Sequence, residues 1–162
     1  MAILNTLKQE LENKHVPFEV LTHRPVYTAQ EVAAAQHVPG RDLAKVVIVS
    51  TGKRLLMVVL PAICRLDLLK LAAAVPDGHL RLATESEFEA IFPGCEAGAM
   101  PPFGNLFGIE VYVDNGLAHE ERIVFQAGTH TETVRMRYSD FAHLVRPTTG
   151  DFALLRDDTD RP

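Results

Sequence analysis

The chain has 162 residues, enough for one hydrophobic core and too few for two. Apolar residues make up 47% and charged residues 23%, the balance of a globular domain that can fold without staples. The formal net charge of −5 argues against a protein that coats long nucleic acid, because phosphate contacts need an excess of Lys and Arg.

The same charge leaves room for a protein that grips only the end of an RNA. The candidate cations are Arg41, Lys45, Lys53 and Arg54 in one stretch and Arg135 and Arg137 in another; scattered surface charge is the alternative for all but Lys45. The first residues lack a basic region followed by a long apolar run, and no stretch approaches the ~20 apolar residues of a membrane helix. Cytoplasm is therefore the expected location, with no membrane or DNA partner. No heptad run is visible, which points to a monomer.

Ile3, Leu4, Leu7 and Leu11 recur at helical spacing, which predicts an amphipathic helix over residues 3–14 that ends before Pro17. Residues 16–21 are short, β-branched and aromatic, a strand. Thr28-Ala29-Gln30-Glu31 reads as a capping box that opens a helix to about Gln36, stopped by Pro39-Gly40. Residues 44–49 and 55–60 are near-continuous apolar runs around Ser50-Thr51-Gly52-Lys53, a hairpin of two interior strands. Residues 66–75 predict a helix and 80–82 a short strand. Thr84-Glu85-Ser86-Glu87 is a second capping box, whose helix Pro93-Gly94 terminates.

Residues 94–108 break the pattern: Gly94, Gly98, Gly104 and Gly108 with Pro101 and Pro102, and no periodicity. Long loops inside compact domains are usually functional or disordered. Residues 109–114 then alternate as a strand, Asn115-Gly116 is a turn signal, and residues 122–127 and 133–137 are two more strands. Ser139-Asp140 caps a last helix to about Val145, and from Pro147 the chain reads as a polar, frayed tail. The expected fold is α+β: one domain over residues 1–146, about seven mostly antiparallel strands in a barrel-like core surrounded by helices, followed by the tail over 147–162.

Lys45 opens an interior strand. A lysine there either snorkels to solvent along its stem or meets an anion in a cleft. The loop Gly98-Ala99-Met100-Pro101-Pro102 could bring rigid backbone close to a ligand and orient a reacting ester without a side-chain nucleophile, or be a surface loop without a role. None of the seven histidines forms HxxxH or HxH, and Cys64 and Cys95 match no zinc pattern, so no metal or cofactor is expected. His130 stands out only by its place in a turn between two strands. Cys95 has no visible His partner, and no GxSxG elbow exists.

The order of several short pieces carries more than any one of them. They are His23-Arg24-Pro25-Val26-Tyr27-Thr28-Ala29-Gln30-Glu31-Val32-Ala33, Leu43-Ala44-Lys45-Val46-Val47, Val59-Leu60-Pro61, Ala83-Thr84-Glu85-Ser86-Glu87, Gly98 to Pro102 with Phe103-Gly104, Val111-Tyr112-Val113-Asp114, Phe125-Gln126-Ala127-Gly128 and the strand from Thr133 to Met136. In this order the chain resembles the YbaK/prolyl-tRNA-synthetase-associated editing family over roughly residues 1–146.

The resemblance implies a free-standing, trans-acting, metal-independent hydrolase of the carboxylic ester in mischarged aminoacyl-tRNA. Its partners would be the acceptor 3′ end, with tRNA-Pro carrying a small wrong amino acid as the expected substrate, and prolyl-tRNA synthetase. It implies that Lys45 engages the terminal adenosine phosphate, that the loop from Gly98 to Pro102 positions the aminoacyl group, and that the terminal ribose hydroxyl assists the attack. Lys45, Gly98 and Pro102 are then the expected catalytic residues. Tyr27, Thr28, Ala99, Met100, Pro101, Gly128 and His130 are the expected substrate-binding ones. The alternative is a non-catalytic module of the same fold that binds tRNA ends or a synthetase.

Overall fold

The computed structural model describes residues 4–25, 29–36 and 39–155. Helix α1 (Asn5–Asn13) buries Leu7 and Leu11, the stripe expected from their spacing, and ends before His15, which turns the chain at φ 56°. Strand β1 (Glu19–Thr22) and helix α2 (Ala29–Gln36) follow. The capping residue Thr28 lies outside the described residues, as does Tyr27. Strands β2 (Ala44–Ser50) and β3 (Leu55–Pro61) form the expected antiparallel hairpin, with Lys45 opposite Leu60.

The next stretch departs from expectation at its start. Cys64–Leu66 is strand β4, and helix α3 (Leu68–Ala72) begins later because the Asp67 carboxylate caps it, accepting from the Leu69 and Lys70 amides. Strand β5 (Arg81–Leu82) and helix α4 (Glu85–Phe88) follow, and the Thr84 amide donates to the Glu87 carboxylate at 2.8 Å as the capping box predicts. The glycine-proline stretch carries only a 3-10 turn at Gly104–Phe107 before strand β6 (Glu110–Asp114).

Asn115-Gly116 is not a hairpin turn. Residues Asn115–Ala118 form helix α5, capped by the Asp114 carboxylate, which accepts from the Gly116 amide at 2.9 Å. Strands β7 (Arg122–Gln126) and β8 (Glu132–Arg137) and helix α6 (Tyr138–Val145) come next. Residues expected to fray are ordered into β9 (Thr148–Gly150) and β10 (Ala153–Leu155). They are held there because the Phe152 amide donates to Asp114 and the buried Phe152 ring lies edge-on to Tyr112.

The strands build a five-stranded mixed sheet in the order β5-β2-β3-β6-β9, a three-stranded antiparallel sheet β1-β8-β7, and a β4–β10 ribbon. Strands β3–β6 and β6–β9 pair parallel, so the sheet is more mixed than short connections suggest, and the core is not a closed barrel. The main core fills the space between the sheets, with Phe103, Phe125 and Phe141 at its centre and α1 and α6 against it. The opposite face of the large sheet buries Leu56, Val58 and Leu60 with Leu71 of α3. A third, small cluster seats α2 through Val32 and Ala33 on Leu43, Ala62 and Val124.

One junction positions the candidate site. Strands β2 and β7 touch through a single parallel bridge, Leu43 to Val124, supported by the Val124 amide on the Asp42 carbonyl at 3.0 Å. Beyond it they part. Strand β5 pairs with β2 only at Val49 and Ser50, so among the described residues no strand covers the outer edge of β2 between 44 and 48.

Candidate functional site

A cavity of about 170 Å³ occupies the gap where β2 and β7 separate. Val32 of α2, Leu43, Ala44, Lys45 and Val46 along β2, Gly98 and Met100 of the loop, and Gln126 of β7 line it. Side chains alternate along a strand, so Lys45 lies two residues beyond Leu43 on the face that α2 covers, and Gln126 lies two beyond Val124 on the same face. The bridge therefore brings a cation and a carboxamide from distant parts of the chain to facing positions.

Lys45 is half-buried, and its ammonium donates to the Cys64 carbonyl at the start of β4. The ammonium thus meets a backbone carbonyl, which is neither the solvent nor the anion of the two sequence-based alternatives. Gln126 is the residue that the sequence reading did not single out. Its Nε2 is buried and has no hydrogen-bond partner among the described residues, although the side chain lines a cavity. A buried donor left unpaired costs roughly 1–3 kcal/mol, and an acceptor in the cavity would recover that cost once the carboxamide turned its Nε2 towards the cavity.

The loop is not a surface loop. Ala99, Met100, Pro101, Pro102 and Phe103 are all buried, and the Phe103 ring packs tilted against Phe125 and edge-on against Phe141 in the core. Gly98 has φ +81°, a backbone conformation open to glycine, which lets the chain turn inward there. Four hydrogen bonds fasten the loop to the β7–β8 turn. The Glu96 amide donates to Gly128 carbonyl at 2.8 Å, and the Gly128 amide donates to Ala99 carbonyl at 2.8 Å. The His130 amide donates to the Glu96 carboxylate at 3.0 Å, and His130 Nε2 lies 2.6 Å from the Ala97 carbonyl oxygen.

Of the residues expected at a site, Lys45, Gly98 and Met100 meet at the cavity. Gly128 and His130 sit behind the loop as its fastenings, with His130 only 7% exposed. Ala99, Pro101 and Pro102 form its buried backing. Tyr27 and Thr28 lie outside the described residues. Val32 and Leu43 join the cavity through the packing of α2, which no local sequence signal announces.

The two cysteines are free thiols, half-buried. Burial pushes Cys95 up to about 11, which keeps it protonated near neutral pH and a poor nucleophile. Among the described residues no three His, Cys, Asp or Glu side chains gather where they could hold a metal ion, and no helix is long and apolar enough to cross a membrane.

The model of the aminoacyl-tRNA editing domain family matches residues 23–144. No curated protein matches the chain in sequence. Solved structures share its fold. A crystal structure of a hypothetical protein superposes with a TM-score of 0.83 at 19% identity, over 93% of this chain and 100% of that one. A protein proposed to be a trans-editing enzyme for prolyl tRNA synthetase superposes at 0.80 with 22% identity, over 94% and 99%. A proposed signal transduction protein from Marinobacter aquaeolei superposes at 0.74 with 20% identity, over 98% of this chain but 32% of that longer one.

Proposed function

The chain belongs to the aminoacyl-tRNA editing domain family, and from that premise we propose that it is a trans-acting aminoacyl-tRNA deacylase whose active site is the cavity between β2 and β7. The observation that carries this reading is the meeting of Lys45, Gly98 and Gln126 around one small, otherwise apolar cavity.

Among the described residues that line the cavity, none is a nucleophile of the Ser, Cys or Asp kind. An aminoacyl ester is already activated, so hydrolysis there rests on positioning and electrostatics. Lys45 anchors a phosphate of the terminal nucleotide by exchanging the Cys64 carbonyl for a charge-assisted contact. The Gly98 backbone lies against the ester, and Pro101 and Pro102 keep it from yielding. Gln126 supplies the donor that an ester or hydroxyl oxygen accepts. The water oxygen adds to the carbonyl carbon. The neighbouring ribose hydroxyl of the substrate, which the family resemblance implies as the assisting group, takes the water's proton and passes its own to the ester's ribose oxygen. The bond between carbonyl carbon and that oxygen breaks, leaving free amino acid and a tRNA end with both hydroxyls restored.

Selection among amino acids follows from size. Val32, Leu43, Val46 and Met100 shape a space of about 170 Å³, which suits a small side chain such as alanine on tRNA-Pro. One methylene is worth roughly 1–3 kcal/mol in such a pocket, which is why a second, separate sieve is useful to a synthetase. Prolyl-tRNA synthetase is the partner this role implies.

The test is a panel of purified mischarged tRNAs. Release of amino acid from one of them, lost in a folded Lys45→Ala variant, supports the deacylase. Tight binding of tRNA without release points instead to a non-catalytic end-binding module. Release that survives Lys45→Ala removes Lys45 from the mechanism.

A further inference from the structure

The protein is acidic overall, yet three arginines crowd one end of the small sheet. Three basic side chains elsewhere are matched by carboxylates. Arg54 forks onto Asp77 at 2.8 and 3.1 Å and also meets Glu110 at 2.8 Å. Arg81 forks onto Glu87 at 2.6 and 2.8 Å, and Lys70 meets Asp151 at 3.1 Å.

Arg122 and Arg137 are different. They are direct cross-strand partners on β7 and β8, both exposed, and among the described residues neither has an ion pair. Like charges directly opposite each other in an antiparallel pair are destabilising. Among the described residues Glu19 is the carboxylate that shares their cavity, and its ion pair is with Arg135. Arg135, two residues along β8, adds a third guanidinium. Its Nη2 donates to Glu19 at 2.7 Å, while its Nε is buried without a partner among the described residues. A cavity of about 180 Å³ lies among Glu19, Arg122, Arg135 and Arg137, walled by Pro17 and Phe18.

Strand alternation connects this cluster to the first cavity. Arg122, Val124 and Gln126 share one face of β7, and Arg135 and Arg137 share that face on β8 through their register with Val124 and Arg122. Arg122 is four residues from Gln126, about 13 Å along the strand. Val124 between them is buried under α2, so a run of nucleotides leaving the Gln126 end of the sheet would pass around α2 to bring phosphates over the arginines. The planar guanidinium fork fits a phosphate in two-point contact.

We propose that Arg122, Arg135 and Arg137 form a docking surface for the phosphodiester backbone of the RNA substrate, a few nucleotides inside the end held in the β2–β7 cavity. This rests on the reading of that cavity as an aminoacyl-tRNA site. The substrate already carries phosphates on this path, which favours RNA over an acidic protein as the occupant.

The test uses the full chain and a fluorescein-labelled, uncharged RNA hairpin with a single-stranded 3′ end, read by anisotropy across a salt series. The double variant Arg122→Gln/Arg137→Gln should bind roughly tenfold more weakly at about 0.1 M salt and lose about two units of the log Kd against log salt slope. Its Tm should not fall, since a repulsive pair has been removed. Glu19→Gln, which frees Arg135, should tighten binding. Hydrolysis of an aminoacyl adenosine ester, too short to reach the arginines, should match wild type in the double variant. Wild-type affinity and slope in the double variant overturn the proposal and leave the arginines to an acidic protein partner. A Tm drop of several degrees also overturns it, by making them structural. If wild type releases no amino acid from any ester but hairpin binding still depends on the arginines, the docking surface stands and the deacylase reading falls.

Discussion

Gly98 turns the loop inward at φ +81°, and an alanine there tests whether the substrate approaches this backbone. An L residue held in the left-handed region costs roughly 1–2 kcal/mol. A Cβ built on Gly98 meets one atom within 4 Å, Cε1 of His130 at 3.7 Å, which is ordinary contact. Gly98→Ala therefore adds conformational strain without a clash. For a chain of this length each kcal/mol shifts Tm by about 2–4 °C, so the drop should be about 2–8 °C and the variant stays folded at 25 °C. The methyl points to His130 behind the loop, but Gly98 itself lines the cavity, so the strained backbone shifts at the cavity's edge. An ester carbonyl drawn up to the glycine backbone is then displaced by roughly 1 Å, and misplacement of that size costs on the order of 10²-fold in rate. The assay is single-turnover deacylation of a mischarged tRNA well below Tm, beside thermal denaturation. A wild-type rate in a folded variant with lowered Tm would refute close approach at Gly98. An unchanged Tm would refute the strain argument itself.

Gln126→Leu replaces a half-buried carboxamide whose Nε2 is unpaired with an apolar side chain of similar size, so stability should hold or rise while deacylation falls, roughly tenfold for a lost hydrogen bond worth about 1.4 kcal/mol. Equal losses of stability and rate would make Gln126 a structural residue. Val46→Ala widens the cavity, and the preference for the smallest aminoacyl group over one a methylene larger should narrow by roughly 10-fold or more, measured as a kcat/KM ratio. An unchanged ratio would place the amino acid elsewhere. Glu87 tests the acid limb of stability. The Arg81 guanidinium first, and then the Thr84 amide, hold its carboxyl at about 2, below an ordinary value of 4.5. A lowered folded value stabilises above about 4.5 and loses that contribution as pH falls towards 2. Glu87→Gln should therefore flatten urea midpoints against pH in that window, and an unchanged slope would sink the assignment.

Apolar spacing made α1 legible, continuous apolar runs the β2–β3 hairpin, and expected capping residues α2 and α6. Helix α6, however, starts at Tyr138 with Arg137 as N-cap and no side-chain cap, rather than at Ser139-Asp140. Turn chemistry was less secure. Asn115-Gly116 follows an aspartate, and the same short polar residues that favour a turn also start a helix when the preceding carboxylate caps it. The parallel pairings of β6 with β3 and β9 join segments far apart in sequence, and no local signal encodes them. The polar stretch after Pro147 became two strands because partners elsewhere, Asp114 and Tyr112, were waiting for Phe152.

By itself the sequence determined that Lys45 opens a buried strand and that a glycine-proline loop interrupts the chain near residue 98, and it offered Arg135 and Arg137 as candidate cations with scattered surface charge as the alternative. Those are properties of single positions and their neighbours. Only the tertiary structure decided what they face. The Leu43–Val124 bridge brings Gln126 opposite Lys45, the β7–β8 turn fastens the loop, and the β7–β8 register sets Arg122 against Arg137. A side chain's neighbours across strands depend on register and on where two sheets part, and both are set by packing over the whole core.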